Sequence, residues 1–110
     1  MDFDDYQKTS KKTLISNNPP DLLLARMGLG LTGEAGEVAE KIKKILRDKD
    51  GQLEQKDKDE IAKELGDVLW YMARLAEMVD HKLSEVAYLN LDKLNSRNKR
   101  DKISGSGDNR

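Results

Sequence analysis

The sequence predicts an all-α domain: a helical hairpin of two long helices with two flanking helices, of the four-helix-bundle type. Two long stretches repeat apolar residues at alternating intervals of three and four, the spacing of an amphipathic helix. Clusters of Pro, Asn, Gly and Asp separate the predicted helices. Hydrophobic residues make up 36% of the chain and charged residues 37%, which suits helices with solvated outer faces. A chain of 110 residues buries a small core, so we expect oligomerisation to complete the bundle.

A helix-breaking cluster separates the first two helices. An amphipathic stretch from about Phe3 to Ser16 predicts the first helix, which ends at the sequence NNPP, residues 17–20. Asp21 is placed to cap the second helix. The apolar positions of this helix form one seam, which comprises Leu24, Met27, Leu31, Ala35, Val38, Ile42 and Ile45.

A charged segment leads to the third and fourth helices. Residues 48–59 contain Gly51 and dense mixed charge, and they predict a loop that enters a capped helix near Lys58. The third helix ends at residues 80–81, and a fourth runs from about Leu83 to Asn98. The seam of the third helix comprises Ile61, Leu65, Val68, Met72, Leu75 and Val79.

The composition also excludes several classes of function. Lys and Arg number 20 and Asp and Glu 21, so there is no net field to attract nucleic acid or a membrane surface. The absence of cysteine excludes disulfides, thiolate catalysis and cysteine-based zinc sites, and leaves oxygen-rich metal sites. No apolar run is long enough to span a bilayer, so we expect a cytoplasmic protein. We expect residues 1–100 to form the domain and residues 101–110, which are low in apolar content, to be a disordered tail.

An acidic motif occurs once in each long helix. Shifting the second helix by thirty residues onto the third aligns Glu34 with Glu64 and Glu37 with Asp67. Successive helical residues turn by about 100°. Glu34 and Glu64 therefore each lie about 60° from the seam of their own helix, and Glu37 and Asp67 about 120° from it, on the same flank. If the helices pack antiparallel along their seams, the four carboxylates converge at one level. Such like charges repel one another, so a bound divalent cation best explains how the folded protein could tolerate four neighbouring carboxylates.

The competing interpretation of each acidic pair is a solvated helix flank, and only the duplication argues against it. Glu40 illustrates that interpretation, since it faces away from the seam and is expected to pair with Lys43 or Lys44. Gly36 and Gly66 lie inside the two motifs, where each costs about 1 kcal/mol relative to Ala. Either the close approach of a ligand or tight helix packing would favour these glycines.

The two acidic segments resemble a known family. Residues 33–40, GEAGEVAE, and 64–71, ELGDVLWY, resemble the MazG-like all-α nucleoside triphosphate pyrophosphohydrolases, whose mark is a paired Glu-x-x-Glu and Glu-x-x-Asp. Residues 90–97, NLDKLNSR, resemble the Asn…Lys-Leu-x-x-Arg segment of this family. The resemblance covers about residues 22–97 and indicates a single-domain member, without the second domain of tandem members.

The resemblance implies hydrolysis of (deoxy)nucleoside triphosphates to monophosphate and pyrophosphate, as house-cleaning of the nucleotide pool. It implies a magnesium cofactor, with manganese as the alternative, because these hard cations prefer carboxylate oxygens. One carboxylate would also accept a proton from the attacking water; Glu37 is the candidate, although the spacing does not choose among the four. The implied metal ligands are Glu34, Glu37, Glu64 and Asp67, and the implied phosphate or sugar contacts are Asn90, Lys93 and Arg97.

Alternatives stay open for the surroundings of Trp70 and Tyr71 and for the function of the whole chain. Trp70 lies opposite the seam of its helix, which predicts burial against another subunit of a homodimer or homotetramer, or else coverage by the first or fourth helix. Tyr71 lies between the angular positions of Glu64 and Asp67, beside the predicted metal site or at a plain boundary. The alternative to an enzyme is a non-enzymatic helical oligomerisation or partner-binding module, whose acids are surface residues.

Overall fold

The computed structural model describes residues 1–100 and 103–109, and these contain four α-helices and no strand. The all-α prediction is therefore confirmed. The bounds are α1, Phe3–Ser10; α2, Pro20–Lys49; α3, Gln55–Met78; and α4, Leu83–Lys99, with a short 3-10 helix at Lys11–Thr13 after α1. Helices α2 and α3 form the antiparallel hairpin, while α1 packs against α3 and α4.

The first helix is shorter than predicted, and Asp21 is not a cap. After the 3-10 turn the chain becomes extended at Leu14, and no helix resumes until Pro20, at the end of the NNPP cluster. Pro19 occupies the cap position of α2 and Pro20 the first helical position, where the missing N–H of proline costs no hydrogen bond. Asp21 instead lies in the first turn, where its charge favours the helix dipole.

The connection between α2 and α3 is also shorter than the predicted loop at residues 48–59. Asp50 and Gly51 reverse the chain with φ angles of 53° and 77°, in the left-handed region that glycine tolerates best. Glu54 then caps α3, and its backbone N–H donates to Asp57 at 3.0 Å. The charged residues of this segment therefore lie at the end of α2 and at the start of α3, and ion pairs across the turn stabilise both helix ends.

The strongest of these ion pairs predicts an acid-sensitive turn. Both Asp57 oxygens lie 2.9 Å from the ammonium of Lys49, and this pairing lowers the pKa of the Asp57 carboxyl below its ordinary value of 3.8. A lowered pKa contributes stability above pH 3.8 that is lost as the pH falls through the folded-state value. We expect Asp57→Asn to lower the melting temperature at neutral pH by a few degrees and to flatten its acid dependence, measured by circular dichroism.

The matched control is Asp59→Asn, which removes the same charge from an exposed residue two positions further along α3. Its side chain accepts a hydrogen bond from the amide of Gln55 rather than an ion pair across the turn. We expect it to melt close to the wild type. Equal losses in the two variants would contradict a special role for the pair between Asp57 and Lys49.

Buried polar contacts of α1 close one end of the hairpin. The Gln7 amide donates to the His81 carbonyl at 3.3 Å and accepts from the Leu83 backbone N–H at 2.8 Å. Asp4 accepts from both the backbone N–H and the hydroxyl of Ser84, at the first turn of α4. The N-terminal helix is therefore fixed to the corner between α3 and α4.

Much of the predicted seam remains open within one chain. Among the described residues, the buried apolar side chains are those of Met27, Ile45, Ala73, Ala76 and Leu83. Other seam positions are close to half exposed: Leu24, Ile42, Leu65 and Met72.

In the part of the chain that is described, no helix has an apolar stretch that could cross a lipid bilayer. Residues 103–109 form bends and turns, while residues 101, 102 and 110 lie outside the described residues, so the disorder of the tail stays a prediction.

Candidate metal and nucleotide site

Three of the predicted ligands meet across the hairpin. Glu34 of α2 and Glu64 and Asp67 of α3 each place one carboxylate oxygen within 4.8 Å of the others. The antiparallel packing of the two seams produces this meeting, because it sets the middle of one helix beside the middle of the other. Glu34 and Glu64 are partly buried and Asp67 is exposed, so the cluster opens to solvent on one side.

Glu37 lies near this cluster but outside the group of three. It is exposed, and its charge is close enough to influence Glu34. Its position about 60° further around α2 turns it towards solvent. Its assignment as a metal ligand and as the proton acceptor therefore stays a prediction.

The electrostatics of the cluster favour a cation. Burial raises the pKa of the Glu34 carboxyl above its ordinary value, and the charges of Asp67, Glu64 and Glu37 raise it further. A cation among these groups would relieve the repulsion. The donors are all carboxylate oxygens, which fit a hard divalent ion such as magnesium or manganese.

A lysine that the sequence analysis did not single out also reaches the cluster. The ammonium of Lys41 lies 3.8 Å from an oxygen of Glu64 and 3.8 Å from an oxygen of Glu60. Lys41 follows Glu34 by seven residues, two helical turns, and so lies on the same face of α2. That spacing is the sequence signal that could have identified it.

An aromatic cleft of about 360 Å³ adjoins the carboxylates and is lined by Thr13, Glu34, Asp67, Trp70 and Tyr71. The rings of Trp70 and Tyr71 meet edge to face with their centroids 5.0 Å apart. The indole N–H of Trp70 donates to the Thr13 hydroxyl at 2.7 Å. The chain therefore covers part of Trp70 with its own N-terminal segment, as the alternative of coverage within one chain predicts. Burial of the rest of Trp70 against a second subunit stays a prediction.

Arg74 supports Trp70 from the buried side. Its side chain is 1% exposed, and its guanidinium lies 5.4 Å from the centre of the Trp70 ring. It donates to the backbone carbonyl of Gln7 and, at 2.8 Å, to the Glu77 carboxylate. These contacts join α1 to α3 behind the cleft.

One glycine positions the other aromatic ring. The Tyr71 ring lies against Gly30, where a Cβ atom would stand 2.1 Å from its Cε1 atom. Gly30 precedes Glu34 by one helical turn, so the ring lies beside the carboxylates. By contrast, a Cβ at Gly36 or Gly66 would meet nothing within 4 Å, so tight helix packing within this chain does not explain those two glycines.

The predicted phosphate contacts lie on α4. Lys93 forms an ion pair with Asp108 at 3.1 Å, and the buried Arg97 donates to the backbone carbonyls of Gly107 and Asp108. Asn90 is exposed on the same helix. Among the described residues, no hydrogen bond or ion pair joins these three side chains to the carboxylate cluster, and their roles stay predictions.

A helical hairpin with acidic residues paired across it at one level is an arrangement of the MazG type. The chain belongs to the MazG nucleotide pyrophosphohydrolase domain family, whose pattern matches residues 24–101 and includes both acidic motifs and α4. The family resemblance inferred from the sequence is thereby confirmed. The chain is also 49% identical, over 114 aligned positions that cover both proteins fully, to a protein of Mycobacterium phage L5 named "Gene 37 protein". No solved structure matches the chain.

Proposed function

We propose that this protein hydrolyses (deoxy)nucleoside triphosphates to nucleoside monophosphate and pyrophosphate, with magnesium or manganese as cofactor, and so removes unwanted nucleotides. The observation that carries the proposal is the meeting of Glu34, Glu64 and Asp67 within 4.8 Å, in a chain of a nucleotide pyrophosphohydrolase family. Carboxylates that meet in this way suit the divalent cation that accompanies a triphosphate.

The roles of the residues follow from their positions. A bound magnesium ion would supply an acidified water and offset the negative charge of the phosphates. Glu34, Glu64 and Asp67 would hold the ion through their carboxylate oxygens. Glu37, exposed beside them, accepts the proton of the attacking water, because its carboxylate is not committed to the group of three.

The aromatic cleft is the proposed place of the nucleoside. It shares Glu34 and Asp67 with the metal cluster, so a base that packs against Trp70 and Tyr71 would keep its phosphates next to the carboxylates. Rings of this kind offer a stacking surface for any base, while the hydroxyl of Thr13 offers a polar contact. Asn90, Lys93 and Arg97 remain the proposed contacts to phosphate or sugar.

We also propose that the active form is a homodimer or homotetramer. The half-exposed seam residues Leu24, Ile42, Leu65 and Met72 support this, since a second copy would remove their apolar surface from water. Sedimentation equilibrium is the appropriate measurement. A molar mass that stays at 12.5 kDa, the mass of one chain, at all concentrations would contradict the proposal.

The decisive experiment is pyrophosphate release from a panel of ribo- and deoxyribonucleoside triphosphates, with and without magnesium. We expect magnesium-dependent release of pyrophosphate together with the monophosphate, and its loss in Glu37→Ala. Glu40→Ala is the control, because Glu40 pairs with Lys43 at 3.0 Å on the outer face of α2. No turnover of any nucleotide by the wild type would favour the alternative of a partner-binding helical module.

A further inference from the structure

A second groove lies on the hairpin between the carboxylates and the turn. Its volume is about 340 Å³, and four lysines and three acids line it together with Ile45: Lys41, Lys44, Lys49, Lys56, Asp48, Asp57 and Glu60. Lys41 belongs to both places, because its ammonium is also 3.8 Å from Glu64 in the carboxylate cluster. The groove therefore begins where the cluster ends.

Lys41 is held more loosely than the lysine nearest the turn. Lys49 makes two hydrogen bonds of 2.9 Å to Asp57. Lys41 instead stands 3.8 Å from each of its two acidic partners, beyond the length of a charge-assisted hydrogen bond. A flexible four-carbon stem lets such an ammonium move between neighbouring sites at little cost.

We propose that Lys41 is a counter-ion with two positions, which binds Glu64 when the cluster lacks a divalent cation and binds the terminal phosphates of the nucleotide when the cluster holds one. This inference rests on the proposed function and assigns the groove to the leaving pyrophosphate. A divalent cation beside Glu64 repels the ammonium of Lys41. The ammonium of Lys41 can then turn into the groove, which its side chain lines. A pyrophosphate that leaves the carboxylates through this groove would also contact Lys44 and Lys56.

Two binding measurements on nucleotide-free protein test the proposal. Lys41→Met keeps the apolar stem and removes the charge. Because one repelling charge is gone, we expect calorimetry to give magnesium binding that is about fivefold tighter than in the wild type. Because a phosphate partner is also gone, we expect pyrophosphate in the presence of saturating magnesium to bind about tenfold more weakly.

Two further variants separate this role from a general effect of charge or folding. Lys43→Met removes the same charge from the same helix, but Lys43 pairs with Glu40 at 3.0 Å and does not line the groove, so both affinities should match the wild type. Lys41→Arg keeps the charge and should keep magnesium binding near the wild-type value. Thermal melting establishes that each variant is folded.

The opposite changes in the two affinities are the signature of the proposal. If Lys41→Met binds magnesium no more tightly than the wild type, or pyrophosphate no more weakly, the two-position role of Lys41 is overturned. Neither measurement needs turnover. A wild type that hydrolyses no nucleotide would therefore refute the proposed function, while the binding results would still decide the role of Lys41.

Discussion

Replacing Glu64 by Gln is expected to reduce magnesium-dependent pyrophosphate release by about a hundred- to a thousandfold, comparable to the cost of removing one group that stabilises a transition state. Glu64 contributes an oxygen to the cluster of three and is partly buried between α2 and α3. Gln keeps the shape of the side chain but removes the negative charge that attracts the cation. The measurement is kcat/KM at saturating magnesium, compared with the wild type.

The same variant should lose the stabilisation that magnesium gives. A ligand that binds only the folded protein raises its melting temperature, so wild-type protein should melt at a higher temperature with magnesium than without it. Protons compete with the cation at Glu34, whose raised pKa means that the carboxyl is protonated at a higher pH than usual. The magnesium-dependent gain should therefore shrink as the pH falls towards and through that pKa.

Glu40→Gln is the matched control for this prediction. It removes the same charge from an outer position, where Glu40 contacts Lys43 and Lys44 and not the cluster. Its activity and its response to magnesium should stay close to the wild type. Retention of both properties by Glu64→Gln would mean that the three carboxylates are a charged surface and not a metal site.

The second large effect is expected at Gly30. Replacing a helical glycine by alanine ordinarily stabilises a protein by about 0.5–1 kcal/mol. At Gly30 the added Cβ would stand 2.1 Å from the Tyr71 ring, which must then move against Trp70. Overpacking of this kind costs about 1–3 kcal/mol, so Gly30→Ala should be destabilised in urea unfolding. Because Tyr71 lines the cleft, kcat/KM for nucleotides should fall as well.

Gly28 offers a control two residues earlier on α2. A Cβ at Gly28 meets nothing within 4 Å, so Gly28→Ala should be at least as stable as the wild type. The informative quantity is the difference in unfolding free energy between the two alanine variants. Variants of equal stability and activity would mean that the contact between Gly30 and Tyr71 does not shape the cleft.

The sequence predicted the hairpin and most of the cluster because both depend on spacing along a single helix. The regular apolar seam and the thirty-residue repeat placed Glu34, Glu64 and Asp67 correctly on facing flanks. The predicted loop at residues 48–59 was too long, since the pairing of Lys49 with Asp57 across the turn makes dense charge compatible with helix.

Features that depend on a contact between two helices or segments could not be predicted from the spacing of residues along one helix. Gly30 matters through Tyr71, which lies on the other helix of the hairpin, and nothing near Gly30 in the sequence indicates this contact. The coverage of Trp70 similarly depends on Thr13, which follows a helix whose end was misplaced. Lys41 could have been found from its helical spacing to Glu34, but its contact with Glu64 required the packed hairpin.

Trp70 has a practical consequence, because it is the only tryptophan of the chain. Its indole lies between the N-terminal segment, through the bond to Thr13, and the cleft beside the carboxylates. Emission excited at the red edge of protein absorbance therefore originates from this one place. The intensity and wavelength of that emission should report the detachment of the N-terminal segment and would also test whether a nucleotide enters the cleft, so the molecule contains its own fluorophore for stopped-flow work without a label.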